Sequence, residues 1–199
     1  MSLTKSLWRG GQVACLLGAL TTLSACVDPS EAWPQGTPGA ENAAMDAFQV
    51  SQVPPSATST YFDFESKVQL IGYEVNEVEA RPGGRVRITW YWRASAPPVG
   101  DWKLFTHVIT QHGRQIAQVD AAGPLRGAGS VSSWRRGAIY KDEQEFTLPP
   151  DAEPPFITLG VGVWTDVFRL NVTSGLQDHM NRALVVRIPT GHSSRSGSW

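Results

Sequence analysis

From about residue 60 the chain alternates between apolar and polar positions. The stretch Arg85–Ala94, RVRITWYWRA, places Val86, Ile88, Trp90 and Trp92 on one face and Arg85, Arg87, Thr89, Tyr91 and Arg93 on the other. A period of two with one apolar face predicts a half-buried strand. FITLGVGVW alternates in the same way, with Ile157, Leu159, Val161 and Val163 set against Thr158, Gly160, Gly162 and Trp164. KVQLIGYEV is apolar on both faces, and Gly72 inside it marks a bulge. DWKLFTHVIT, RQIAQVDA, KDEQEFTL, FRLNV and RALVVRI supply further strands, separated by the turn signals RPGG, APPVGD, QHGR, LPPDAEPP and TSG. No stretch reads as a long amphipathic helix. Seven to eight short strands at this spacing predict an all-β fold, an antiparallel β-sandwich of immunoglobulin-like or jelly-roll type, over residues 60–189.

Composition sharpens this picture. Nineteen glycines and fourteen prolines in 199 residues fit a turn-rich chain. Seventeen Lys and Arg against eighteen Asp and Glu leave a formal charge of −1, without the basic excess expected of a nucleic-acid binder. Five of the eight tryptophans (Trp90, Trp92, Trp102, Trp134 and Trp164) fall within the predicted strands and their connections, where they supply a large aromatic area to bury.

The N-terminus reads as an address. Lys5 and Arg9 precede an apolar run, Val13 to Leu23, whose 11 residues are too few to span a bilayer as a helix. Leu23-Ser24-Ala25-Cys26 follows and resembles a bacterial lipobox. That resemblance implies cleavage before Cys26, acylation of its thiol and attachment to a membrane. The ordinary signal-peptidase pattern fits less well, because Leu23 would occupy a position that wants a small residue. Residues 1–25 are thus expected to be a lipoprotein signal peptide. Residues 26–59, rich in Pro and Gly, are expected to be a tether, in which Trp33, Met45 and Phe48 have the option of docking on the domain; residues 190–199 are expected to be a disordered tail. Val27, where an aspartate would mark inner-membrane retention, points to the outer membrane. The signal carries two cations and no acid, so its removal takes the formal charge from −1 to −3. It also takes Cys15, which leaves a mature chain with no free thiol for a disulfide, a nucleophile or a metal.

Residues 66–165 resemble a β-sandwich module of bacterial surface proteins and of the C-terminal ends of some membrane glycosyltransferases. The matching pieces are VQLIGYEV, ARPGGRVRITWYWRA, KLFTHVIT-QHGRQIAQVD, SWRRGAIYKDEQEFTLPPDA and ITLGVGVW. The resemblance implies the fold; it brings no assigned chemistry and no catalytic residue.

The residues themselves carry no G-x-S-x-G elbow, H-E-x-x-H, P-loop or dinucleotide glycine pattern, and no cofactor is expected. His107 and His112, five apart across a strand and a turn, do not have metal-ligand spacing. Acids at Asp63-Phe64-Glu65 and Asp142–Glu145 read as strand-edge acids before they read as calcium ligands. The most informative set is His107, Asp120, Trp134 and Asp142: an imidazole–carboxylate pair beside a tryptophan suits a sugar or another polar ligand, and equally suits a hydrogen-bonded pair pinning a loop. Tyr91, alone among arginines on its face, and Trp164, beside Gly160 and Gly162, complete the candidate ligand residues; the two glycines either leave a shallow open strip or, the favoured reading, let another part of the chain pack closely. The expected function is a lipid-anchored envelope protein with a non-catalytic binding or structural domain. Its expected partners are the membrane through Cys26 and an envelope polysaccharide or a second envelope protein. The alternatives are a carbohydrate-binding module and, behind it, a carboxylate hydrolase.

Overall fold

A computed structural model describes residues 43–79, 81–152 and 154–190. The segment expected to be a signal peptide, Cys26, Trp33 and residues 191–199 of the expected tail lie outside them. The strands are β1 (Gln49–Val50), β2 (Thr58–Phe64), β3 (Val68–Val78), β4 (Arg85–Ala94), β5 (Lys103–Thr110), β6 (Gln115–Gln118), β7 (Ile139–Thr147), β8 (Phe156–Trp164), β9 (Val172–Ser174) and β10 (Ala183–Pro189). A short helix, Pro124–Ala128, lies between β6 and β7. One sheet has the order β1-β7-β4-β3-β2-β9, the other β10-β8-β5-β6, and every pairing is antiparallel. The fold is an all-β sandwich, as the alternation predicts. The two strands beyond the expected eight are β1, whose two residues are too short to leave a periodic signal, and β2; the strand expected at FRLNV forms later, as the three-residue β9 that starts at Val172.

The core sits between the sheets. Val86, Ile88, Trp90 and Trp92 of β4 are fully buried against Leu104, Val108, Leu159, Val161 and Val163 of the facing sheet. At roughly 200 Å² per indole and about 25 cal/mol per Å², the two tryptophans alone contribute about 10 kcal/mol of gross apolar burial, an upper bound. The bulge expected at Gly72 appears as a register shift between Leu70 and Gly72 opposite β4.

Two expectations change. The tether does not run to residue 59. A helical turn at 43–46 buries Met45, and Phe48 packs on the core. β1 then pairs with Ile139 and Tyr140 at the start of β7. Apolar side chains in this Pro-rich stretch reach a surface that would otherwise be wet, which composition does not register. Second, Tyr91 is not a surface aromatic: it is 1% exposed. Gly72 lies between its ring and Val53, with Val53 Cγ1 only 3.0 Å and Tyr91 Cδ2 3.7 Å from where a Cβ would stand, so the incoming segment roofs this part of the sheet. Of the two readings open for Gly160 and Gly162, close packing is the one observed. A Cβ on Gly162 would fall 2.4 Å from the Phe105 ring, and one on Gly160 would fall 2.6 Å from Ile109. The glycines create the room in which those β5 side chains lie across β8.

The sandwich has two distinct ends. At the near end β4 finishes at Ala94, β7 starts opposite Arg93, and β5 starts where β8 finishes, with Lys103 opposite Trp164. The connections 95–102 and 165–171 leave from this end. The first described residues lie here too, since Asp46 pairs with Arg135 in the turn before β7, at 2.7 Å. The far end carries the turns 79–84, 111–114 and 148–155.

Candidate functional site

The interior polar residues cluster around Asp142 on β7. Alternation places Asp142 and Gln144 on the face that carries Tyr140 and Phe146, towards the facing sheet. A fully buried carboxylate needs a cation and further donors, and the helix Pro124–Ala128 supplies the cation. Gly123, at φ 104°, starts that helix so close to β7 that a Cβ would fall 2.1 Å from the Glu143 carbonyl oxygen. The Arg126 guanidinium therefore reaches inward, donating from Nη2 at 2.8 Å and from Nε at 3.1 Å to Asp142 Oδ2. The Trp92 indole donates to the same oxygen at 3.3 Å. Arg126 Nη2 also donates to Thr106 Oγ1 at 2.9 Å, whose hydroxyl donates to Gln144 Oε1 at 2.8 Å. That oxygen accepts the Trp90 indole as well, and the Gln144 amide nitrogen donates to the Val119 and Ala122 carbonyls. The network ties both sheets and the β6–β7 connection together, and its side-chain groups are partnered within the protein.

The predicted set divides. Asp142 belongs to the interior network. His107, on the opposite face of β5 from Thr106, is 1% exposed and lies against the Phe105 ring. Its Nε2 is 3.8 Å from Asp120 Oδ1, beyond hydrogen-bond reach, and that oxygen instead accepts the Thr106 backbone N–H at 2.8 Å. His107 Nδ1 has no protein partner. Trp134 stacks on Tyr140 with centroids 4.4 Å apart and is buried. Tyr91 donates its hydroxyl to Glu74 at 2.6 Å, and burial, together with that carboxylate, pushes its phenol pKa up. Burial likewise raises the Tyr140 phenol, whose oxygen accepts the Arg135 N–H.

Two concavities stand out among the described residues. A cavity of about 170 Å³ opens between the β6–β7 connection and β8, lined by Lys103, Leu104, Asp120, Leu125, Arg126, Val131, Trp134 and Trp164. It unites three predicted residues, Asp120, Trp134 and Trp164, and the Trp164 indole N–H has no protein partner. Its size falls below the roughly 300–1,000 Å³ of small-molecule sites. A wider groove of about 550 Å³ runs over the outer face of the six-stranded sheet between Val53, Pro54, Pro55, Tyr61, Ile71 and Arg93. Tyr61 is 53% exposed, and its oxygen accepts the Gln69 amide at 3.2 Å. Sequence reasoning missed Tyr61, although its alternation with the core residues Phe62 and Phe64 places it outward. It also missed Arg126 and Gln144.

The acids considered for calcium are engaged by the protein. Asp63 accepts hydrogen bonds from Thr173, the Ser66 N–H and Gln69, and Glu65 accepts from both nitrogens of Asn171 and from Lys67. Burial pushes the Asp63 carboxyl up, but these donors outweigh it and hold its pKa below the ordinary value; the Asn171 N–H and Lys67 lower Glu65. No group of three or more potential metal ligands occurs among the described residues. No known family model matches the chain, and no curated protein matches it.

Proposed function

We propose that this protein is a lipid-anchored component of a bacterial cell envelope, held through Cys26, whose β-sandwich serves as a non-catalytic binding or structural module. The observation that carries the anchor is Leu23-Ser24-Ala25-Cys26 directly after a basic and then an 11-residue apolar segment. Val27 supports the outer membrane. The non-catalytic reading is supported by the saturation of the candidate chemistry: Asp142 is closed in by Arg126 and Trp92, while Asp120 spends an oxygen on the Thr106 backbone. Replacing Cys26 with Ser tests the anchor. Lipid labelling and detergent partitioning are expected to disappear; a variant that stays membrane-bound and is cleaved normally refutes it.

A second reading, a carbohydrate-binding module, is favoured by one observation, the exposed Tyr61 ring in the groove beside Arg93. Exposed aromatics offer a stacking face to sugars, and the burial of Tyr91 and Trp134 leaves this one in their place. A glycan array with wild type and Tyr61→Ala decides: a signal lost in the variant supports the reading, and silence across envelope sugars moves the module to protein contacts.

A further inference from the structure

Loop tips of a water-soluble sandwich normally carry small or polar residues. Here Val99 is 98% exposed, Val167 77% and Phe168 68%. Val99 lies in the connection that leads into β5 and the other two in the connection that follows β8, and these strands pair at that point through Lys103 and Trp164. The three apolar side chains therefore project from neighbouring tips at the near end. The Val167–Phe168 tip is built, not loose: Thr165 N–H donates to the Phe168 carbonyl at 2.7 Å, and the Thr165 hydroxyl accepts the Phe168 N–H at 3.0 Å. Arg169 ties this connection to the Met180 carbonyl at 2.8 Å, beside a loop that exposes Leu176 and Met180. Among the described residues, the turns of the far end expose no large apolar side chain; they carry the pairs Arg81–Glu79 and Arg114–Asp151 and the exposed His112.

The near end is also where the described residues begin. The 17 residues from Cys26 to Asn42 span at most about 60 Å however they are arranged. A domain held that close meets one surface at high effective concentration, the bilayer that holds the lipid. Charges at this end do not oppose such a contact: Lys103–Asp101, Lys67–Glu65 and Arg135–Asp46 are paired at 2.7–2.8 Å, and the exposed Asp166 and Arg136 are of opposite sign.

We propose that Val99, Val167 and Phe168 form a membrane-contact edge that seats the near end of the sandwich in the interfacial layer of the bilayer bearing Cys26, leaving the far end towards water. This rests on the lipid anchor proposed above. Apolar side chains at such an edge enter the headgroup–acyl boundary without spanning the membrane.

The mature, acylated chain holds no free thiol, so Phe168→Cys, Val99→Cys and His112→Cys each introduce a single site for a nitroxide without touching the core. The acylated proteins are reconstituted into phospholipid vesicles, and collision with oxygen is compared with collision with a water-soluble nickel chelate. The oxygen-to-chelate ratio is expected to be several-fold higher at positions 168 and 99 than at 112. Equal ratios at all three in an acylated, vesicle-bound protein overturn the orientation and leave the anchor standing. Failure of Cys26 to take up labelled palmitate overturns the anchor itself. Protection of position 168 that persists without vesicles and grows with protein concentration assigns the patch to a second copy of the chain, and overturns the proposal as well.

Discussion

Replacing Arg126 with Met tests the network that holds the sandwich together. The substitution keeps length and apolar stem but removes the guanidinium, leaving the Asp142 carboxylate, 0% exposed, with only the Trp92 indole at 3.3 Å. Breaking a buried pair from one side costs about 3–5 kcal/mol, because the remaining charge stays desolvated. That is a large part of the 5–15 kcal/mol that a domain of this kind possesses. With a urea slope of about 2 kcal/mol per M, the unfolding midpoint falls by roughly 1.5–2.5 M. Asp142→Leu alone is expected to cost a similar amount by stranding Arg126. The double variant Arg126→Met/Asp142→Leu leaves neither charge, so it is expected to be less destabilised than Asp142→Leu and no worse than Arg126→Met apart from about 1–3 kcal/mol for the Trp92 N–H that loses its acceptor. Urea unfolding of the Cys26→Ser chain, followed by tryptophan fluorescence, supplies all four corners of the cycle. Costs that add to within about 0.5 kcal/mol would show the pair to be uncoupled and refute the reasoning.

Gly162→Ala is expected to destabilise by about 1–3 kcal/mol through overpacking against Phe105, and Phe105→Leu in the same chain is expected to recover part of the loss; thermal melts of both check this. The acids that clasp β9 to β2 make stability depend on pH. Asp63 and Glu65 have folded pKa values below their unfolded ones of roughly 4, so their contribution is complete above that value and is lost as pH falls through the folded values. The urea midpoint is therefore expected to drop from about pH 5 downwards, and less steeply in Asp63→Asn; equal slopes in both proteins would refute the assignment.

The inner layer of the sandwich was legible because Trp90 and Trp92 share a period with Val86 and Ile88, and only one side of the strand could bury them. The same alternation failed for Tyr91, between two correct assignments, because it assumes that the polar face is wet. Val53, nearly forty residues earlier, covers that face, and periodicity within a strand holds no record of what another segment lays over it. The ligand candidates divide on similar grounds. His107 and Asp120 lie close because β5 and β6 form a hairpin, a local and readable relation. Arg126 meets Asp142 only through a five-residue helix whose placement depends on Gly123 touching β7. No spacing rule captures that contact. Tyr61 shared its alternation with Phe62 and Phe64 but lay at the presumed edge of the tether, where no strand was expected to start.

The glycines of β8 carry a consequence for how this fold can vary. Gly162 is the mould of the Phe105 ring, and Gly160 that of the Ile109 side chain. Each pair shares one volume across two paired strands, so neither member is free to change alone. A side chain can appear at 162 only in a chain that has given up the phenyl ring at 105, and the same exchange governs 160 and 109. Variation at these four positions is bound to be reciprocal, and aligned chains of this fold should trade bulk between β5 and β8 one pair at a time.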